Sequence, residues 1–146
     1  MCPSSGSADV VHLRAAGVSL VLDARDGRLP AVLHWGHDLG DVTPADLAAL
    51  ASAGRPTAVP NDLDEPHRPP AVLAEHASGW NGRPGLAGSR SGQGWSPLLV
   101  LTGFDLAGGR VVATGADAVA GLQVRLEIEL LPSGLVRQRG TVTTTA

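Results

Sequence analysis

The sequence predicts an all-β protein, a β-sandwich (supersandwich) of antiparallel strands with one short inserted helix. Short runs of β-branched and aliphatic residues recur along the chain, and turn signals of Gly, Pro and Asp separate them. One later run alternates polar and apolar residues, as a strand with one solvated face does. The 146 residues are enough for one domain with its own core. We expect residues 1–9 to be disordered and residues 10–146 to form the sandwich.

The first part of the chain holds three predicted strands. They are VVHLRA from Val10, VSLVLDA closed by the turn pair Asp26-Gly27, and LPAVLHWG. The alternation in the second run is imperfect, which is typical of a strand covered on one face and partly on the other. Trp35 ends the third run, and we expect this indole to pack in the core.

A single helix is predicted between Thr43 and Gly54. Thr43 suits the N-cap, Pro44 the first helical position, and Gly54 the position after the last turn. An apolar stripe of Leu47, Leu50 and Ala51 indicates that the helix packs on the sheet.

Residues 55–97 hold most of the prolines and many of the glycines, with almost no periodic apolar pattern. Trp80 and Trp95 within it favour an ordered excursion over a linker, and long ordered loops in compact domains usually serve a function. We expect Trp95, just before a strand, to be a packing residue.

Four strands are predicted after Pro97, with hairpin turns at Gly108-Gly109 and at Pro132-Ser133-Gly134. The third of them carries Glu127 and Glu129 on its solvated face. The sequence stops within the strand-like run TVTTTA, so we expect a sandwich that is incomplete at its C-terminal end, with an unpaired strand edge.

Composition excludes several classes of function. The net charge is -3, and the eleven cationic residues, all arginines, form no basic stripe, so no nucleic-acid partner is expected. Cys2 is the only cysteine, which leaves no intrachain disulfide. No leader peptide and no run of about 18 apolar residues is present, so we expect a cytoplasmic protein without a membrane contact.

No reaction centre is evident in the sequence. His34 and His37 are three residues apart, but the spacing of the five histidines fits no metal site, so neither a metal nor another cofactor is expected. Turn and capping roles suit Asp38, Asp41 and Asp62 better than acid–base roles. Two further carboxylate pairs are Asp62 with Asp64 and Glu127 with Glu129. No motif around either pair indicates catalysis. No nucleophile motif is present, so the chain alone is predicted to be inactive.

The segment EHASGWNGRPGL, from Glu75 to Leu86, has the composition of a sugar-contacting loop. Trp80 offers a flat apolar face with a polar edge, and Arg83 offers a fixed fork of donors. For Trp80, Asn81 and Arg83, ligand contact and a purely structural role both remain open.

The segments LPAVLHWGHDLG, VLAEHASGWNGRPGLAGSRSGQGWSP and LEIELLPSGLVRQRGTVTTT occur in this order between residues 29 and 145, and the resemblance they carry spans about residues 10–145. Together they resemble the N-terminal region of actinobacterial α-galactosidases of glycoside hydrolase family 36. The resemblance implies a β-supersandwich that precedes a (β/α)8 barrel. In that barrel two aspartates, absent from this chain, remove terminal α-galactosyl residues by the retaining route.

The resemblance also implies a role for the N-terminal region in oligomer assembly, with one of its loops reaching the galactose site of a neighbouring subunit. Trp80, Asn81 and Arg83 are the candidate substrate-binding residues, and Arg90 is a further one. The alternatives are a freestanding carbohydrate-binding sandwich and a structural module whose long loop packs on another domain.

Overall fold

The computed structural model describes residues 9–55, 69–89 and 91–145. Five sequence-based predictions lie outside these ranges. They concern the disordered start of the chain, Cys2, the pair Asp62 and Asp64, one of the five histidines, His67, and Arg90.

The first sheet contains three antiparallel strands, β1 (Val10–Ala15), β2 (Val18–Asp23) and β3 (Ala31–His37), in the order β1-β2-β3. Ala16 and Gly17 join β1 to β2 with positive φ angles of 49° and 74°, the backbone form of a tight two-residue hairpin. One extra residue, Leu33, interrupts the pairing of β2 with β3 as a bulge.

The second sheet is a four-stranded antiparallel meander, β4 (Val100–Ala107), β5 (Arg110–Asp117), β6 (Leu122–Leu130) and β7 (Val136–Thr144). Both predicted hairpin turns are present. Gly108 and Gly109 join β4 to β5 with positive φ angles of 59° and 75°. The turn between β6 and β7 is closed by a hydrogen bond from the Leu131 amide to the Leu135 carbonyl.

The core lies between the two sheets, which confirms the predicted sandwich. Leu20 and Leu22 of β2 point inward on the first sheet, and Val124, Leu126 and Ile128 of β6 point inward on the second. These five side chains are almost completely buried, and they belong to one cluster. Burial of each aliphatic side chain stabilises the fold by about 1.5–3 kcal/mol.

The predicted helix is α1 (Pro44–Ala53). Thr43 caps it as predicted, because its hydroxyl accepts a hydrogen bond from the Asp46 amide while the Asp46 carboxylate accepts one from the Thr43 amide. Ala51 is fully buried and the helix contacts β1, so its apolar stripe does pack on a sheet. Within the described ranges, no helix is long and apolar enough to cross a membrane.

The prediction that Trp35 is a core residue is wrong. Trp35 pairs with Leu20 and so points to the inner face, yet 61% of it is exposed. Trp35 lies on β3, one of the two edge strands of the three-stranded sheet, and its side chain is left largely uncovered there. Val32, on the same face of β3, is also exposed.

Candidate functional site

The loop that precedes β4 is fastened to the sandwich by two carboxylates. The Glu75 side chain is buried and accepts a 2.7 Å hydrogen bond at Oε1 from the Leu99 amide. The neighbouring Leu98 amide donates to Asp117, at the end of β5, over 2.8 Å. Leu73 and Leu86 add partly buried apolar contacts with the core. The described part of the predicted excursion, residues 69–89 and 91–97, is therefore held to the sandwich by these contacts.

Burial raises the pKa of Glu75, while the Leu99 amide and the charge of Arg28 act in the opposite direction. Burial also pushes the pKa of Asp117 upward, but hydrogen bonds from three backbone amides hold it below its ordinary value. Both carboxylates thus accept from the backbone that leads into β4, and Asp117 also accepts from the amides of Val119 and Ala120 in the turn after β5.

The turn that carries the predicted site begins with a short 3-10 helix, His76–Ser78. Gly79 ends it with a φ of 86°, a conformation that glycine adopts without strain. The His76 ring Nδ1 lies 2.9 Å from the Trp80 carbonyl oxygen. This contact fixes the backbone just where the candidate residues start.

Trp80 folds back over its own loop. Its indole N–H donates a 3.1 Å hydrogen bond to the Arg83 carbonyl. A Cβ at Gly82 would lie only 2.5 Å from the indole ring, so a glycine is required for this close approach. Even so, 40% of Trp80 is exposed. The side chain both anchors the turn and presents part of its surface to solvent.

Asn81 and Arg83 lie in the same turn, and both are exposed. Among the described residues, none forms an ion pair with the Arg83 guanidinium. The fork of donors on Arg83 is therefore open to solvent. The fold brings the three candidate residues together because they are close in sequence, and ligand contact by them stays a prediction.

The prediction that Trp95 is a packing residue is wrong. Trp95 is 66% exposed, and its ring centroid lies 6.4 Å from that of His76 at an angle of 50°. Because His76 also contacts the Trp80 backbone, a second exposed indole belongs to the same loop surface. Two features of the sequence are consistent with this exposure. Gly94 directly precedes Trp95, and residues 91–94 contain no large apolar side chain.

A separate polar cluster of His12, Ser19 and Asp38, bound by Arg14, lies on the outer face of the first sheet. Ser19 is completely buried, and its hydroxyl lies 2.7 Å from His12 Nε2 and 3.0 Å from Asp38 Oδ1. The Leu39 amide donates to the same hydroxyl over 2.9 Å. Sequence reasoning missed this cluster, since its members are far apart along the chain.

The cluster contains the residue types of a serine hydrolase in an arrangement that does not activate the serine. In a catalytic triad the histidine stands between serine and aspartate and removes the serine proton. Here Ser19 lies between His12 and Asp38, and its hydroxyl donates a hydrogen bond to Asp38 Oδ1. Two hydrogen bonds from Arg14, and then the Gly40 amide, hold the pKa of Asp38 well below its ordinary value. The cluster is a structural one.

The two closely spaced histidines do not converge on a common point. The His34 ring Nε2 lies 3.0 Å from the backbone carbonyl oxygen of His37. In residues 9–55, 69–89 and 91–145, no group of three or more His, Cys, Asp or Glu side chains is placed to hold a metal ion. Asp38 does take the predicted turn role, since it accepts from the Gly40 amide over 3.1 Å.

Comparison with known proteins gives a consistent result. The model of the glycosyl hydrolase family 36 N-terminal domain matches residues 28–146. An Escherichia coli protein named alpha-galactosidase is 33% identical over 113 residues, which cover 77% of this chain and 15% of the relative. The chain therefore spans about a seventh of the length of that relative. No solved structure matches the chain.

Proposed function

This chain belongs to the glycosyl hydrolase family 36 N-terminal domain family, and we propose that it is the N-terminal portion of a cytoplasmic α-galactosidase. The parent enzyme would hydrolyse terminal α-D-galactosyl residues. The observation that carries this proposal is the family match over residues 28–146, supported by the identity to the E. coli relative.

Hydrolysis would take place in a barrel domain outside this chain, by the retaining route with two aspartates. The contacts of the described carboxylates support this placement. Asp38 is bound by Arg14, Asp117 by backbone amides, and Glu75 by the Leu99 amide. Each of these groups is committed to holding the fold.

The loop of Trp80, Asn81 and Arg83 would contribute to the galactoside pocket of the assembled enzyme. Its support is geometric: an indole with an exposed face and an open guanidinium lie on a turn fixed by backbone contacts. A sugar ring can pack on the indole while its hydroxyls accept from the guanidinium. Preorganisation of the turn reduces the entropy lost on binding.

Kinetics of the full-length enzyme test this role of the loop. With an aryl α-galactoside, Arg83→Ala and Trp80→Ala should raise KM by roughly tenfold, as expected for the loss of one or two ligand contacts. Arg125→Ala, which removes an exposed arginine from the second sheet, is the matched control and should leave KM unchanged. Equal KM values for all three variants and the wild type would overturn the proposed loop role.

Contacts between subunits of the parent enzyme would involve the uncovered inner face of β3. Trp35 and Val32 form an exposed apolar surface there, and such surfaces mark protein contacts. Replacing Trp35 by serine in the full-length enzyme should lower its mass in light scattering at micromolar concentration. An unchanged mass would place the subunit contacts elsewhere.

The second candidate is a freestanding carbohydrate-binding module, which the two exposed indoles of the loop favour. Titration of the 146-residue chain with galactose, followed by tryptophan fluorescence, separates the two functions. Saturable binding that Trp80→Ala abolishes would favour the freestanding module. Absence of binding to the chain alone would favour a pocket completed only in the parent enzyme.

A further inference from the structure

The turn from Trp80 to Arg83 contains an asparagine followed directly by a glycine, Asn81-Gly82. In such a pair the glycine amide nitrogen can attack the side-chain carbonyl of the asparagine, because the glycine has no side chain to hinder the approach. Packing requires the glycine here, since a Cβ at Gly82 would lie 2.5 Å from the Trp80 indole. The contact that shapes the turn therefore also keeps Asn81 in a reactive sequence context.

Hydrogen bonds hold this turn at its two ends. The Trp80 carbonyl oxygen lies 2.9 Å from His76 Nδ1, and the Arg83 carbonyl accepts from the indole N–H over 3.1 Å. Between these ends, no hydrogen bond joins Asn81 or Gly82 to any residue that the structure describes. Asn81 is exposed and Gly82 is half-buried. Neither the attacking amide nor the side chain it attacks is held in a described bond that the reaction would have to break.

A carboxylate at position 81 would lie two residues before Arg83. The same spacing forms an ion pair elsewhere in this structure, where Arg25 Nε and Nη2 donate to the two carboxylate oxygens of Asp23 over 2.9 and 3.0 Å. That pair forms within one short segment at the end of β2. Arg83 is exposed and forms no ion pair with a described carboxylate. Its guanidinium is therefore available to a carboxylate formed at position 81.

We propose that Asn81 is a site of spontaneous deamidation and that the carboxylate formed there binds Arg83. The Gly82 amide nitrogen forms a bond to Asn81 Cγ and gives up its proton, and the side-chain nitrogen leaves with that proton as ammonia. The product is a cyclic imide. Water then opens the imide at one of its two carbonyls, which yields either aspartate or isoaspartate. In isoaspartate the backbone passes through the former side chain and is one methylene longer.

The modification would change the candidate site in two ways. The new carboxylate engages the donors of Arg83, and the longer isoaspartyl backbone displaces the Arg83 carbonyl from the indole N–H that donates to it. In the parent enzyme, binding of the galactoside would therefore weaken as the protein ages. This consequence rests on the proposed function, whereas the chemical step does not.

Incubation of the 146-residue chain at pH 6 and pH 8, followed by mass spectrometry of its peptides, tests the chemical step. Asn81 should gain the mass difference between an amide and an acid, with isoaspartate among the products. Conversion should be faster at pH 8, because the attacking nitrogen must lose its proton. The matched control is Asn81→Gln, which should stay unmodified because its longer side chain would have to close a larger ring. Asn61, the other asparagine of the chain, precedes Asp62 and should convert more slowly.

The same incubation in urea shows whether the fold permits the reaction. The folded chain should convert at a rate comparable to that of the unfolded chain, since no described bond restrains Asn81 or Gly82. Conversion in urea without conversion of the folded chain would overturn the proposal, because the turn would then protect Asn81. A product without isoaspartate would also overturn it, because attack by Gly82 would not have occurred.

The ion pair with Arg83 is tested in the variant Asn81→Asp. The pKa of the new carboxyl, measured by NMR titration, should be lower than in the double variant Asn81→Asp with Arg83→Ala, since a nearby cation favours the charged form. Asn81→Asp with Arg125→Ala is the matched control and should keep the lower pKa. Equal pKa values in all three proteins would refute the ion pair.

The effect on the site is tested with the full-length enzyme. Incubation at pH 8 should raise its KM for an aryl α-galactoside by up to roughly tenfold, in step with conversion of Asn81, while the KM of Asn81→Gln should stay at its starting value. A constant KM during conversion, in an enzyme whose KM Arg83→Ala does raise, would overturn this effect. An Arg83→Ala variant with unchanged KM would instead contradict the proposed function, and the peptide masses would still decide whether Asn81 is modified.

Discussion

Replacing Glu75 by alanine tests whether one buried carboxylate fastens the long loop to the sandwich. The change removes the 2.7 Å hydrogen bond that the buried Leu99 amide donates to the Glu75 side chain. A buried donor left without a partner costs about 1–3 kcal/mol. Part of this cost is offset, because burial of the charged carboxylate is itself unfavourable, as the raised pKa of Glu75 indicates. We expect a net loss of roughly 1–2 kcal/mol in the free energy of unfolding.

Glutamine at the same position is the matched control. Its amide oxygen can still accept from the Leu99 amide, and the buried charge is absent, so Glu75→Gln should be more stable than Glu75→Ala by about 1 kcal/mol. The pH dependence has a definite sign. A carboxyl with a raised pKa in the folded state binds its proton more tightly there, so its contribution to stability falls as the pH rises above about 4.3, the ordinary value for glutamate.

Urea unfolding, followed by tryptophan fluorescence and circular dichroism at pH 4 and pH 7, measures both effects. The Glu75→Gln variant should gain stability relative to the wild type between the two pH values. Equal stability of the alanine and glutamine variants would refute the role of the hydrogen bond. A difference between wild type and Glu75→Gln that does not change with pH would refute the role assigned to burial.

Three further perturbations probe the other contacts. Ser19→Ala removes the centre of the polar cluster and should cost about 1–3 kcal/mol in urea unfolding, whereas Ser52→Ala on the exposed side of the helix should change stability by less than about 0.5 kcal/mol; similar losses would contradict the structural role of the cluster. Gly82→Ala should shift the indole N–H resonance of the tryptophan packed against it, because a Cβ there meets the ring at 2.5 Å; Gly88→Ala, where a Cβ meets nothing within 4 Å, should not, and equal shifts would refute the close approach. The pKa of Asp38 is lowered in the fold, so its contribution is present above about pH 4 and is lost as the pH falls through the folded value. The stability difference between wild type and Asp38→Asn should therefore shrink on acidification, and a constant difference would contradict it.

Most of the fold could be predicted from the sequence, because it depends on local signals. Paired glycines and Pro-Ser-Gly mark the hairpins, and Thr43 with Pro44 marks the start of the helix. These signals act over a few residues, so they can be recognised without knowledge of the tertiary structure.

Burial of the indoles could not be predicted in the same way. Whether Trp35 is covered depends on which strand lies at the edge of the sheet and how far the opposite sheet extends, and both are properties of the tertiary structure. The exposure of Trp95 has a related cause, since the strand that follows it begins only after the buried Pro97 and Leu99.

The contacts of the candidate site were only partly visible in the sequence. Trp80, Asn81 and Arg83 could be grouped because they are consecutive or nearly so. The bond from Glu75 to Leu99 spans 24 positions, and no local pattern reports a partner at that distance. The same holds for Ser19 and Asp38, which are 19 positions apart.

Hydrolysis of an aryl α-galactoside, measured side by side with the 146-residue chain and with a parent protein that carries the proposed barrel domain, tests the central claim most directly. The claim predicts turnover by the longer protein and none by the chain alone. Saturable turnover by the chain alone, or a longer protein that folds but does not release galactose, would contradict it.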